Sequence, residues 1–288
     1  MTPTDFAFIA AFLKERSGLI ITPDKTYLLE ARLVPLGRKY NLAGLSALID
    51  ALKTGTQTKL ADEVVDAMTT NETSFFRDKN PFDQLRKTII PQMMELRGAA
   101  KSLRIWSAAC STGQEPYSLA MMLKDEFPAL AAWKIDIVAT DISPSVLDRA
   151  REGTYSTFEV QRGLPIQLLV RHFEQIGENW RIKPDLRRMI DFRAANLLAD
   201  MSNLGLFDIV LCRNVLIYFD QPTKSRILEA ISRRLTPHGA LILGGAESVF
   251  GLSDRLGSFP GLRGVYCRGT PAVPSKSVAP LAPIRIAS

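Results

Sequence analysis

Apolar residues in the first part of the chain recur at helical intervals. Phe6, Ile9, Ala10 and Leu13 share one face of a first helix, and Gly18 is placed to end it. Leu28, Leu29, Ala31, Leu33 and Leu36 mark a second helix within 25–40. Pro35 is expected to kink or break it, because proline lacks the backbone N–H and crowds the preceding turn. Segments 42–52 and 60–68 read as further short amphipathic helices, with no strand-like alternation between them. Residues 1–78 are therefore expected to form a small all-helical domain.

The pattern changes near residue 100. Short β-type apolar runs stand at 103–107 (LRIWS), 135–140 (IDIVAT), 189–192 (MIDF), 207–212 (FDIVLC) and 240–243 (ALIL). Helical segments at 117–127, 143–152 and 222–235 lie between them. Such alternation predicts an α/β domain over 79–268, a mostly parallel doubly wound sheet with helices on both faces. Residues 153–188 interrupt it. A turn signal at Gly177, Glu178 and Asn179 predicts a small inserted antiparallel sheet at about 172–189. The Pro-, Ala- and Ser-rich stretch 269–288 is expected to be a disordered tail.

Composition narrows the function. Hydrophobic residues make up 46% and charged residues 23%, an ordinary globular balance. No window approaches the roughly 18 apolar residues of a membrane span. Asp5 precedes the short apolar run 6–13 without a basic region before it, so no secretory signal is expected. Three cysteines are too few for a disulfide framework or a four-thiolate zinc site, which points to a cytoplasmic protein. Two histidines argue against a multi-histidine metal centre and against a mechanism built on a histidine base. The net charge is +6, but basic residues alternate with acids and form no aromatic-interleaved stripe, so nucleic acid is not expected as a partner.

Ligands of such sheets bind beyond the carboxyl ends of the strands. The first run leads into Ala108-Ala109-Cys110-Ser111-Thr112-Gly113-Gln114-Glu115-Pro116. One glycine allows close backbone approach, and Pro116 fits the first position of the next helix. Neither a dinucleotide fingerprint nor a phosphate-binding P-loop is present, which disfavours pyrophosphate and triphosphate ligands. Glu115 suits a cationic or amino-bearing ligand, or simply complements the helix dipole. Asp141 ends the second run, where a carboxylate can accept both ribose hydroxyls; it can equally cap a helix, although Ser143-Pro144 can serve that purpose. A nucleoside without a pyrophosphate fits both loops, and S-adenosylmethionine is the candidate. Asn196-Leu197 could read an adenine edge or form an Asx turn. Arg213-Asn214 follows the fourth run into the crevice, with Tyr218 and Phe219 one turn later; packing suits Phe219. At the domain seam, 71–78 (NETSFFRD) reads by pattern as a polar turn with an aromatic anchor.

In this order, NETSFFRD (71–78), AACSTGQEPYS (108–118), ATDIS (139–143), ANLL (195–198), CRNVLIYF (212–219) and GGAES (244–248) resemble the chemotaxis receptor methyltransferase family, CheR-type, over about 5–268. The resemblance implies an S-adenosylmethionine-dependent methyltransferase sheet behind a helical domain. It implies methyl transfer to glutamate side chains of chemoreceptors, with S-adenosylhomocysteine as product and no metal. Carried over by motif, Asn71, Thr73 and Arg77 line the cofactor pocket, Glu115 meets the methionyl ammonium, and Asp141 takes the ribose. Asn196, Leu197, Arg213 and Asn214 flank the adenosine. Arg77 orients the substrate carboxylate, and Tyr218 lies near the reaction centre. The partner would be the cytoplasmic helical domain of the receptor, for whose acidic surface Lys25, Arg32, Arg38 and Lys39 are the candidate contacts, and the chain is expected to be monomeric. Family members that bind a receptor tail peptide carry a longer Gly-x-Gly loop than the one at 175–180 (QIGENW), so a tether peptide is not expected to be required. Gln114 stands where an acid is often found.

The chemistry is consistent. A glutamate side chain, with an ordinary pKa of about 4.3, is already ionised at neutral pH and needs no base. Catalysis then rests on alignment and desolvation, to which a bidentate guanidinium is suited. Two other readings remain: a signalling module that binds the cofactor or its product without turnover, and a nucleic-acid methyltransferase. Arg77 and Tyr218 speak against the first. The missing basic stripe, and Arg213-Asn214-Val215-Leu216 in place of an NPPY-type tetrad, speak against the second.

Overall fold

The computed structural model describes residues 1–269; the expected disordered tail lies, from residue 270 on, outside the described residues. Helices α1 (Pro3–Ser17), α2 (Thr26–Lys39), α3 (Gly44–Lys53) and α4 (Thr58–Met68) enclose a core of Ile9, Leu13, Leu29, Leu33, Leu48, Ile49, Leu60 and Val64. A capping box starts α1: Thr2 Oγ1 accepts from the Asp5 N–H, and the Asp5 carboxylate accepts from the Thr2 N–H. Gly18, at φ 80°, ends it. Contrary to the expected kink or break, α2 runs through Pro35. Pro35 and Ala31 are both exposed, so water can serve the Ala31 carbonyl that proline leaves unpaired.

Two helices that the pattern did not reveal follow: α5 (Lys79–Gln84) and α6 (Ile90–Arg97), joined by a π turn at Leu85–Ile89. The π turn inserts a residue and shifts the apolar spacing off 3.6, which hides the helix from a periodicity argument.

The main sheet contains β1 (Ser102–Ala108), β2 (Lys134–Asp141), β6 (Ile190–Ala194), β7 (Phe207–Cys212), β8 (Leu235–Leu243), β9 (Leu256–Ser258) and β10 (Val265–Arg268). Its order is β6-β2-β1-β7-β8-β10-β9; the first five strands are parallel, and β10 runs antiparallel to both of its neighbours, β8 and β9. Helices α7 (Gln114–Glu126), α8 (Pro144–Glu152) and α12 (Gln221–Ser232) are its crossovers. Alternate strand residues separate two cores: Ile105, Ile137, Ile209 and Ile242 join Leu119 and Leu123 of α7, while Trp106, Val138, Val210 and Leu241 join Ile227 and Ile231 of α12. Burial on both faces gives β7 the apolar run 209–212, and Asp208 is buried as well.

The inserted sheet has three strands, β3 (Thr154–Ser156), β4 (Phe173–Ile176) and β5 (Asn179–Ile182), in the order β3-β5-β4. It therefore starts upstream of the expected antiparallel insert at about 172–189. Short helices α9 (Thr157–Gln161), α10 (Ile166–His172) and α11 (Pro184–Arg187) complete this subdomain. Its Tyr155 and Phe173 pack edge-on against Phe75, at centroid distances of 5.0 and 5.6 Å. The aromatic anchor of NETSFFRD is thus inserted between the subdomain and the main sheet. Segment 71–78, expected to belong to the helical domain, packs on the sheet domain.

Candidate active site

The strand order reverses between β1 and β7, and the cleft lies at that switch point. The loops after β1, β2, β6 and β7, segment 69–77 and the end of α1 enclose about 1000 Å³ of empty space, mouth included. Asn71, Thr73, Arg77, Glu115, Asp141, Asn196, Leu197, Arg213, Asn214 and Tyr218 all line it. The structure thus gathers residues that are up to 147 positions apart in the chain (218 − 71).

The cleft walls are strained and held. Seven non-glycine residues among those described have positive φ, and five belong to these loops: Phe76, Asp78, Ala109, Ser111 and Asn214. Three of the five give their N–H to a side chain of another segment. Phe76 donates to Ser118 Oγ at 2.9 Å, Ser111 to Asp141 Oδ2 at 2.8 Å, and Asn214 to Glu247 Oε2 at 2.9 Å. Ser111 Oγ also donates to the Asn71 carbonyl at 2.8 Å, joining the first loop to the seam. Gly113, at φ 93°, is the N-cap of α7. Pro116 is therefore the third helical residue rather than the first, because the helix begins two residues earlier than the sequence suggests.

Arg213 ties three segments together. Its side chain is only 2% exposed, and its Nη1 lies 2.8 Å from Glu115 Oε2. Nη2 donates to Asp78 Oδ2 and to the Arg77 carbonyl, both at 2.9 Å. Glu115 Oε1 accepts from Ser107 Oγ at 2.8 Å. Arg77 Nη1 donates to the Glu72 carbonyl at 2.7 Å.

The helical domain closes one side. The Ile20 N–H donates to the Tyr218 carbonyl at 3.1 Å, and Lys14 Nζ lies 2.7 Å from Asp220 Oδ2. The Lys14 ammonium and the Thr223 hydroxyl and N–H hold the Asp220 carboxyl down to about 2. Asn196 Nδ2 donates to the Arg16 carbonyl at 2.7 Å, while its Oδ1 accepts from Leu198 N–H at 2.9 Å. The Asx turn is formed, and the amide bridges the domains.

Two family models match the chain: the all-alpha domain of CheR methyltransferase over 4–69, and the S-adenosylmethionine-binding domain of CheR methyltransferase over 71–264. Chemotaxis protein methyltransferase 1 of Pseudomonas aeruginosa is 43% identical over 255 residues, covering 87% of this chain and 92% of that protein. Chemotaxis protein methyltransferase 1 of Vibrio cholerae is 42% identical, with 85% and 89% covered. The chain belongs to the CheR methyltransferase family. It is an S-adenosylmethionine-dependent methyltransferase of chemotaxis.

The site of this CheR protein fits a nucleoside. Asp141 is 5% exposed, and each carboxylate oxygen accepts a single backbone N–H, from Ser111 and from Ser143 at 3.0 Å. A carboxylate offers about four acceptor sites, so two remain for a diol. Helix α8 is capped by Ser143 Oγ instead, which accepts from the Val146 N–H. Burial pushes the Asp141 carboxyl above the ordinary aspartate range, against the backbone N–H groups of Ser143 and Ser111 that favour its ionised form. Because the folded value exceeds the unfolded one, ionised Asp141 costs stability at neutral pH, and that cost fades as pH falls through the folded value. Binding runs the other way. Calorimetric titration with S-adenosylhomocysteine should show affinity weakening on acidification, beginning above the ordinary aspartate range. Asp141→Asn should bind about 10- to 30-fold more weakly and show no such slope. An unchanged dissociation constant for Asp141→Asn would remove Asp141 from the nucleoside site.

Lys25, Arg32, Arg38 and Lys39 lie outside the cleft, on α2 and the 3-10 turn before it. Two of them are occupied. Arg32 Nη1 donates to the carbonyls of Met68 and Thr69 at 2.9 and 2.8 Å, capping α4, and Lys39 is 2.6 Å from Glu63. Lys25 and Arg38 are exposed and have no ion-pair partner among the described residues. Sequence reasoning missed Ser107, Ser118, Ile20 and Glu247, which act through long-range hydrogen bonds; Ser118 and Glu247 stood within recognised motifs, but no role was assigned to either. Among the described residues no cluster of His, Cys, Asp and Glu is placed to hold a metal, and no helix is long and apolar enough to cross a membrane.

Proposed function

We propose that this CheR protein forms methyl esters on glutamate side chains of the cytoplasmic helical domain of chemoreceptors. The observation that supports it is the state of Arg77. Its guanidinium lines the cleft, and among the described residues it has one hydrogen-bond acceptor, the Glu72 carbonyl. The remaining N–H groups are left to grip a carboxylate.

Bound S-adenosylmethionine supplies a methyl group on a cationic sulfur. Asp141 takes the ribose hydroxyls, and Glu115 faces the methionyl ammonium while retaining its pair with Arg213. Arg77 aligns the acceptor carboxylate, and Tyr218 flanks the reacting atoms. No residue need remove a proton, since the acceptor is already an anion. The two histidines stand apart from the cleft: His172 is buried against Asp125 at 2.9 Å, and His238 is exposed. Incubation with labelled methyl donor and receptor fragments should give base-labile label that mass spectrometry maps to glutamates. Label on another side chain, or none, would overturn the proposal.

Receptor docking is assigned to the two uncommitted cations of the four. Lys25→Glu with Arg38→Glu should slow receptor methylation about 3- to 10-fold at low salt, with a smaller effect at high salt, and leave S-adenosylhomocysteine affinity unchanged. Deleting the receptor's C-terminal tail should leave the wild-type rate unchanged, since the loop at Gly177 is short. A salt-independent rate in the double variant would count against this surface; a rate that collapses with the tail would restore the tether.

A further inference from the structure

Outside the groups assigned above, one buried carboxylate has every acceptor direction filled by backbone. Glu247 is 9% exposed. Its Oε2 accepts from the N–H groups of Gly244 and Asn214, at 2.7 and 2.9 Å. Its Oε1 accepts from those of Val215 and Leu216, at 2.9 and 2.7 Å. The Gly244 carbonyl in turn accepts from the Glu247 N–H at 2.9 Å, so the motif GGAES folds as a tight turn that aims the carboxylate at the end of β7. Glu247 does not line the cleft, so neither cofactor nor substrate reaches it.

Three of the four donors are consecutive, Asn214 to Leu216. They lie between Arg213, which ties the seam to Glu115, and the single 3-10 turn Leu216–Tyr218. Asn214 has φ 58°, a left-handed backbone that asparagine adopts more readily than other non-glycine residues but that its surroundings must still enforce. Four charge-assisted bonds are that enforcement. An amide at this position cannot replace the carboxylate: one of its two ends would be an NH₂ facing two N–H donors. Gly244 belongs to the device, because a Cβ there would lie 2.7 Å from Glu247 Oε2 and 2.9 Å from Asn214 N.

We propose that Glu247 is a positioning residue for methyl transfer. By holding the 214–216 backbone it sets the place of Tyr218, and it does so without touching either reactant. The proposal deepens the reading of the site given above and rests on it.

The test is a double-mutant cycle between Glu247→Gln and Tyr218→Phe, read as turnover on receptor fragments and as S-adenosylhomocysteine affinity. Glu247→Gln is expected to lower kcat about 10- to 30-fold with cofactor affinity within about threefold of wild type. Glu247→Asp, which keeps the charge, should recover part of the rate. The double variant should be no slower than the slower single variant, because both act on one group. Effects that multiply, or a cofactor affinity that falls in step with kcat, would overturn the proposal. Should Glu247→Gln not fold, Gly244→Ala displaces the carboxylate without removing it and should show the same kcat loss; a normal rate there would be equally decisive. If wild type itself transfers no methyl to receptors, the receptor reading fails on its own. The hold on the turn is then read by amide hydrogen exchange at Asn214, Val215 and Leu216, expected to accelerate in Glu247→Gln, and unchanged protection would overturn it.

Discussion

Arg77→Ala is expected to reduce turnover by about two to three orders of magnitude while changing S-adenosylhomocysteine affinity by less than about threefold. The asymmetry follows from what the side chain touches. Its structural tie is one bond to the Glu72 carbonyl, and its backbone carbonyl, which alanine retains, is the atom that accepts from Arg213. Removing the guanidinium leaves the seam anchored and takes away the fork proposed to aim the acceptor carboxylate. Arg77→Lys should fall between the two, since an ammonium keeps the charge and loses the planar bidentate geometry. The contact must not be too strong, because a tightly paired carboxylate is a poorer nucleophile; alignment rather than charge neutralisation is the expected contribution. Single-turnover kinetics with receptor fragments separates the two parameters. Equal turnover in wild type and Arg77→Ala would remove Arg77 from the mechanism.

Arg213→Met is expected to cost about 3 kcal/mol of stability, at the low end for breaking a buried pair. In a chain of this size that corresponds to a fall in Tm of roughly 6–12 °C. Methionine keeps much of the volume, so the loss comes from charge: Glu115, 12% exposed in its side chain, is left facing Asp78 without the cation between them. Asp78 is 52% exposed and is relieved by water, which is why the larger figures for buried pairs do not apply. The seam should loosen as well, since Arg213 is the residue that joins Asp78 and the Arg77 carbonyl to the strand ends. Adding Glu115→Gln should restore most of the stability by removing the orphaned charge. Thermal unfolding of the three proteins checks this, and a Tm of Arg213→Met within about 2 °C of wild type would refute it.

Legibility followed range. The central strands were readable because each is a local run whose composition reports burial on both faces, and β7 coincides with the expected 207–212; edge strand β6, buried on alternate residues only, still carries a short apolar run. The helices of the first domain were readable from local period. Where the period fails, the reading failed: Leu85–Ile89 is a π turn, and β9 and β10, three and four residues long, are too short to carry a pattern. The loop residues Glu115, Asp141 and Arg213 could be suspected from their position after strands. NETSFFRD acquired a site role only through its resemblance to a family, because nothing in its own pattern distinguishes it from a polar turn.

By itself the sequence determined the class of fold, the strand ends where ligands gather, a nucleoside without pyrophosphate, and membership of a methyltransferase family. These depend on periodicity, on single residues at strand ends and on ordered motifs, all of which are local in the chain. Only the tertiary structure decided which polar groups are already spent. It placed Arg213 on Glu115 and Asp78, Arg32 on the end of α4, Lys39 on Glu63 and Glu247 on four backbone N–H groups, and it left Arg77, Lys25 and Arg38 available. The reason is physical: a hydrogen bond is satisfied by whatever lies within about 3 Å, and folding brings those partners from tens to more than a hundred residues away.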